Sequence, residues 1–190
     1  GLSLNPEGPS PLSSGKATLE NTGVITLANS NANYDTMVIG MQLESTNSSF
    51  GMNSELINSG TINIETTKSN GSYGKATGMQ INLSNINSNI PNTLVKVGNI
   101  NIKGVGGPSL YGLIFGSIQN TGLVNSKIIV DGSGGLINLE ASGSVGVQIN
   151  RVNKPQTSVN GLENFKNLSI LINGGNQVGL ARYTEEANEN

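Results

Sequence analysis

The segment GSYGKATG (71–78) puts Gly74 and Lys75 in a G-K-x-T context, the beginning of a phosphate-binding loop. A Walker A motif also needs a glycine five positions before that Gly and a hydroxyl directly after the Lys. Those positions hold Ser69 and Ala76, so the phosphate cradle is incomplete. Ser13 with Lys16, and Ser72 with Lys75, match S-x-x-K, the serine–lysine pair of an acyl-transfer nucleophile. The companion motifs S-D-N and K-T-G are missing, and we read both pairs as solvated side chains. Polysaccharide lyases and glycosidases need acids brought together, often beside Arg, Lys or Ca²⁺. Here Asp35 and Asp131 are the only aspartates and lie far apart. Glu44, Glu55 and Glu65 are scattered, with no D-x-D pair. Acids of this kind are usually exposed. No His and no Cys are present, which removes the commonest general base, the commonest metal ligand and any disulfide or thiolate. We therefore expect no enzyme activity, no catalytic residue, no metal and no cofactor. Asn47, Asn70, Asn82 and Asn167 satisfy N-x-[ST], but with 29 Asn in the chain about five such matches arise by chance.

What positions these side chains is a repeat. LENTGVITL (19–27), LINSGTINI (56–64) and LVKVGNINI (94–102) each carry an apolar residue, a Gly four later, and apolar residues six and eight later. IQNTGLVNS (118–126) and LENFKNLSI (162–170) are looser copies. A second phrase recurs in step: GMQL (40–43), GMQI (78–81), GLIF (112–115), GVQI (146–149) and GLAR (179–182). Two phrases recurring together at a period of about 36 residues mark a repeat array. For the last two copies a second register competes, because LINLEASGSVG (136–146) aligns with SILINGGNQVG (169–179). Sequence alone leaves both open.

Within each phrase apolar and polar residues alternate. Ile62 and Ile64 flank Asn63; Met79, Ile81 and Leu83 are separated by Gln80 and Asn82. Period two is strand patterning, one face buried and one solvated. Asn, Gly, Ser and Thr fill 90 of 190 positions, and all are poor helix formers. A single copy is too short to bury a face, so copies must stack. Stacking predicts one ladder of Ile25, Ile62, Ile100 and Val124, and another of Met41, Met79, Leu113, Val147 and Leu180. It also predicts an asparagine column of Asn21, Asn58, Asn120 and Asn164, interrupted by Lys96. Gly at the head of the GMQ-type phrases suits a turn with positive φ. Third strands are weakly marked, with Phe50 and Met52, and Ile86 and Ile90, as candidates.

The predicted fold is all-β: a parallel β-helix, or β-solenoid, of about five coils with protruding loops at 28–37, 65–76, 103–110 and 150–161. At a strand spacing of about 4.8 Å, such a stack is only about 25 Å long, which reads as an excerpt of a longer rod. Pro6, Pro9 and Pro11 make residues 1–15 a leader or linker. Residues 16–182 form the solenoid, and 183–190 are a polar tail.

NTGVITL, NSGTINI and the GMQ-type phrases resemble the N-x-G-x-I-x-[VI] … S-x-G-[MI] repeats of autotransporter (type V secretion) passenger domains. These are surface adhesins and toxins of Gram-negative bacteria. The resemblance covers about residues 19–182. It implies a right-handed β-helix displayed outside the cell by an outer-membrane barrel, and no barrel-like train of strands is present in this sequence. Copies three to five depart from the family pattern, with Lys96 for Asn, Lys166 for Gly and Arg182 for an apolar residue.

Charge and hydropathy exclude other classes. Ten basic and twelve acidic residues, evenly spread, give a formal charge of −2 and no footprint for nucleic acid. No apolar run is long enough for a membrane-spanning helix, so no direct membrane insertion is expected. The N-terminal stretch has neither the basic nor the apolar region of a signal peptide. The expected function is an extracellular, cell-surface adhesin or binding rod. Its partner would be a host or bacterial surface protein or glycan, met through outward rows such as Thr26, Asn63, Gln80, Asn82 and Gln148. A polysaccharide-active β-helix enzyme is the alternative.

Overall fold

The structure, a computed structural model, describes residues 1–4, 16–29, 36–45, 53–68, 74–86, 93–120, 128–149, 152–153 and 164–182. Among them there is no helix, and the strands assemble into three parallel sheets. Sheet I contains β2 (Lys16–Asn21), β5 (Asn53–Asn58), β8 (Thr93–Lys96), β11 (Ile128–Asp131) and β15 (Asn164–Lys166). Sheet II contains β3 (Val24–Asn29), β6 (Thr61–Thr67), β9 (Asn99–Val105), β12 (Leu136–Glu140) and β16 (Ser169–Asn173). Sheet III runs β1 (Leu2–Leu4), β4 (Thr36–Ser45), β7 (Gly74–Ile86), β10 (Ser109–Asn120), β13 (Val145–Ile149) and β17 (Val178–Arg182), with β14 (Val152–Asn153) also paired to β10. The chain visits the sheets in the order I, II, III and then returns to sheet I one strand further along, as a β-solenoid requires.

Inward residues stack in register. Sheet II carries Ile25, Ile62, Ile100, Ile137 and Ile170 in one row, and Leu27, Ile64, Ile102, Leu139 and Ile172 in the next. Sheet III carries the predicted row Met41, Met79, Leu113, Val147 and Leu180. Sheet I contributes Leu19, Leu56, Val95 and Val130. The middle members of these rows are almost wholly buried and form one continuous core. Rows of like residues work here because parallel in-register strands place each apolar side chain directly over its counterpart, so no layer needs to close its own core.

Several expectations are corrected. The third sheet does not lie beyond the two phrases. It is the opening of the first phrase, which folds into two strands around the corner at Asn21–Gly23 and Asn58–Gly60. Ile86 instead ends β7, and Phe50, Met52 and Ile90 fall outside the described residues. The fourth copy is 128–140, not 118–126: Ile118 and Asn120 belong to β10, and Ile137 takes the ladder place expected for Val124. The competing register is therefore the one adopted, with Leu136 beside Ser169 and Leu139 beside Ile172. The connection from sheet II to sheet III shortens along the chain. Ile25 and Met41 are sixteen residues apart, Ile137 and Val147 ten, and this drift hid the register.

The asparagine column is shorter than expected. Asn21 donates through Nδ2 to Asn58 Oδ1 at 2.8 Å, and Asn58 Nδ2 donates to the Asn99 carbonyl at 3.1 Å. Leu56 is six residues before Ile62, but its neighbour Val95 is only five before Ile100, so the third corner is one residue tighter. Buried Val97 lines that corner, and Lys96 belongs to the row of Ile57 and Asp131. Asn120 and Asn164 lie in β10 and β15, away from the column.

The glycines of the GMQ-type phrases sit inside strands, and none has positive φ. A Cβ on Gly40 would lie 2.6 Å from Ile62 Cγ2, and one on Gly146 would lie 2.7 Å from Ile170 Cγ2. Gly78 and Gly112 face Ile100 and Ile137 in the same way. Each glycine is thus a socket for the isoleucine of the next layer. The predicted loops at 65–76 and 103–110 are also shorter, since β6 runs to Thr67, β7 starts at Gly74, and 103–110 is largely strand around Gly106–Pro108, while 150–161 lies outside the described residues apart from Val152–Asn153. Within the expected leader, Leu2–Leu4 is strand, paired with β4. The tail 183–190 and residues 5–15 lie outside the described residues.

Candidate functional site

The outward face of sheet II carries the most regular polar array. One row reads Thr26, Asn63, Asn101, Asn138 and Leu171, and the next Ala28, Glu65, Lys103, Glu140 and Asn173. Parallel pairing sets these side chains about 4.8 Å apart along the stack. Asn101 Nδ2 donates to Asn63 Oδ1 at 2.9 Å. The ladder then stops. Asn138 Nδ2 reaches Glu140 Oε1 at 3.5 Å, while Asn138 Oδ1 is sheltered from solvent without a hydrogen-bond partner. Leu171, next in the row, has no amide to donate. Beside this row Glu65, Lys103 and Glu140 alternate in sign on neighbouring strands, an arrangement that favours the pairing register. Thr26 and Asn63 were legible as outward from the period-two pattern. Asn101, Asn138 and the charged row were missed, though the constant offset from Ile62 to Ile100 and Ile137 would have placed them.

Sheet III differs. Gln80 and Gln148 share an outward row with Ile114, which is only 1% exposed. Gln80 Oε1 is sheltered and without a hydrogen-bond partner, and Gln148 is half-buried. Nearby Thr77 is fully buried with Oγ1 unpartnered. The outer surface of sheet III is therefore substantially covered, not the open polar face expected from alternation. Asn82, also expected outward, is half-buried on β7.

Of the catalytic-motif fragments, Gly74, Lys75 and Lys16 fall within the described residues. Gly74 to Gly78 lie in the extended strand β7, not in a loop opening a helix, so their amides cannot wrap a phosphate. Lys75 Nζ lies 4.8 Å from the centre of the Tyr111 ring, a cation–π contact, and half-burial holds its pKa below the usual lysine value. Lys16 forms an ion pair with Glu55 at 2.9 Å. Ser13, Ser72, Asp35, Asn47 and Asn70 fall outside the described residues. Glu55 accepts hydrogen bonds from Lys16 and from Thr18, and the Lys16 bond is the main cause of its lowered pKa. Glu44 accepts from Gln42 Nε2 at 2.8 Å. Asp131 accepts from the Ser133 amide and hydroxyl, fixing a turn, and Asn167 donates to Ser133 Oγ. Glu44, Glu55 and Asp131 thus each have a local structural task. Among the described residues no group of three or more His, Cys, Asp or Glu is placed to hold a metal, and no helix is long and apolar enough to cross a membrane.

No protein-family model matches the chain, no curated protein is significantly similar to it, and no solved structure matches it significantly.

Proposed function

We propose that this chain is a binding rod of the autotransporter passenger type: five right-handed coils displayed at the cell surface that hold an outward array against a host or bacterial glycan or protein. The observation that carries the reading is the sheet II face, where Thr26, Asn63, Asn101 and Asn138 stand in one register. Amides at a fixed spacing suit repeated hydroxyl or peptide groups, because each offers both donor and acceptor. The sheet beneath holds them in place, so little ordering cost accompanies binding. The passenger-type phrases at 19–27, 40–43, 56–64 and 78–81 support display outside the cell. The test is a glycan array together with binding to intact cells, comparing the chain with an Asn63→Ala, Asn101→Ala double variant. Retained folding with binding lowered at least about tenfold supports the reading; each lost hydrogen bond is worth about 1 kcal/mol. Turnover of a polysaccharide in the same assays would replace it with the enzyme reading.

A further inference from the structure

Lys75 is half-buried, its ammonium has lost part of its hydration, and it pairs with no carboxylate among the described residues. Its Nζ lies 4.8 Å from the centre of the Tyr111 ring, a contact that holds the charge in place without neutralising it. Two more polar groups on the same side of β7 are unused. Ala76 packs in the core, and a Cβ on Gly78 would meet the Ile100 methyls. Thr77, between them, therefore faces outward as Lys75 does. Thr77 is wholly buried, and its Oγ1 has no hydrogen-bond partner. Gln80 follows along this face, and its Oε1 is sheltered and also without a partner. Polar atoms kept from water without a hydrogen bond cost free energy, so both positions favour an incoming partner. The shelter over sheet III opens at this end. Met37, in the row of Lys75, is 58% exposed, and Ser109 in the same row is exposed.

We propose that Lys75, Thr77, Tyr111 and Gln80 form a binding site for an acidic oligosaccharide. The sugar carboxylate pairs with the Lys75 ammonium, while sugar hydroxyls donate to Gln80 Oε1 and hydrogen-bond with Thr77 Oγ1. An acidic sugar carries both kinds of group at once. A protein carboxylate brings the charge without the neighbouring hydroxyls, and a neutral glycan leaves Lys75 unpaired. From Lys75 to Gln80 the strand rises about 15 Å, so the three side chains meet successive sugars of one chain. Thr77 lies between Ile39 and Tyr111 in its row, and the sugar reaches it when the half-exposed Tyr111 side chain turns outward. The site is on a different sheet from the Asn63–Asn101 array and does not depend on that array binding anything.

Calorimetric titration of the full chain tests it, with oligomers of galacturonic, glucuronic and sialic acid as the probes. At least one should bind. Its carboxyl-reduced counterpart should bind at least about tenfold more weakly, because a hydrogen bond to a charged group is lost. Lys75→Gln should weaken binding of the acidic form about tenfold and leave binding of the reduced form unchanged. Thr77→Val removes a hydroxyl that has no partner, so its urea midpoint should not fall, while its affinity should fall about threefold or more. The Asn63→Ala, Asn101→Ala variant should bind these probes as the parent does. If none of the acidic probes binds, or if the reduced form binds equally well, the proposal is overturned. Unchanged affinity in Lys75→Gln or in Thr77→Val overturns it too. Binding lost in the Asn63→Ala, Asn101→Ala variant places the sugar on sheet II and likewise overturns this site.

Discussion

Ile62 occupies the space that a side chain at Gly40 would need: its Cγ2 lies 2.6 Å and its Cδ1 3.3 Å from where a Gly40 Cβ would sit. The two residues belong to different strands of different sheets in successive layers, so this contact couples one layer to the next. In sheet III the pairing register passes over these glycines. An isoleucine from the following layer fills the space that a side chain there would take. Glycine is required here for close approach and not for an unusual φ.

Gly78→Ala should therefore destabilise the protein. Its Cβ would run into the Ile100 methyls and lie 2.7 Å from the Gly112 carbonyl oxygen, a backbone atom that cannot turn aside. Overpacking of this kind costs about 1–3 kcal/mol. Gly179→Ala, the same change in an open socket, should stay within about 0.5 kcal/mol. Urea midpoints of the two variants decide the matter. Equal loss would mean that the glycines serve strand geometry and not the isoleucine ladder.

Asn58→Ala should cost more than a typical buried polar truncation. Asn58 is wholly buried, accepts from Asn21 and donates to the Asn99 carbonyl. Its removal takes the donor from the Asn99 carbonyl and leaves Asn21 Nδ2 only its longer bond to the Thr61 carbonyl at 3.4 Å, at about 1–3 kcal/mol for each group left unsatisfied. Buried Val97 shows that an apolar side chain fits the same corner one layer on. The double variant Asn21→Val, Asn58→Val should therefore be more stable than Asn58→Val alone, as equilibrium unfolding can establish.

The alternation around Ile62, Asn63 and Ile64 was plain in the sequence, and so was the row from Met41 to Leu180, because period two leaves a strong trace wherever one face is buried. The corner at Asn58–Gly60 was not, because two strands joined by so short a turn read as one phrase. The fourth copy was misplaced for a related reason. IQNTG at 118–122 repeats the letters of ENTG at 20–23, but Ile118–Asn120 extends β10 in sheet III. Letters repeat by composition in a chain this rich in Asn and Gly, whereas register follows from which side chain must cover Ile100. The burial of Ile114 between Gln80 and Gln148 on the outer face of sheet III is likewise something that alternation alone does not record.

Acid should weaken the protein partly through Glu55. The Lys16 ammonium, and then the Thr18 hydroxyl, hold its folded pKa below the ordinary 4.5. A depressed carboxylate binds its proton more readily when unfolded, so its contribution is complete above 4.5 and disappears as pH falls through the lower folded value. Lys16 is more than half exposed, which makes the effect small and sensitive to salt. Glu55→Gln should narrow its deficit relative to the parent as pH drops below 4.5. A deficit that stays constant with pH would mean that the Glu55 charge contributes nothing.

The alternation itself is tested at two adjacent residues. Ile64 is 3% exposed in the row of Leu27 and Ile102, while Asn63 faces outward and accepts from Asn101. Ile64→Asp loses the burial of a large aliphatic side chain, about 2 kcal/mol, and places an unpaired carboxylate inside the stack. The sum should be several kcal/mol, a large part of a stability of roughly 5–15 kcal/mol. Asn63→Asp keeps the acceptor for the Asn101 amide and should cost under about 1 kcal/mol. Placing Glu65 two residues along the same face adds only a modest repulsion, screened by solvent. If the two variants unfold at the same urea concentration, Ile64 does not face the core. The sheet II rows, and with them the outward amide array on which binding depends, would then be assigned to the wrong faces.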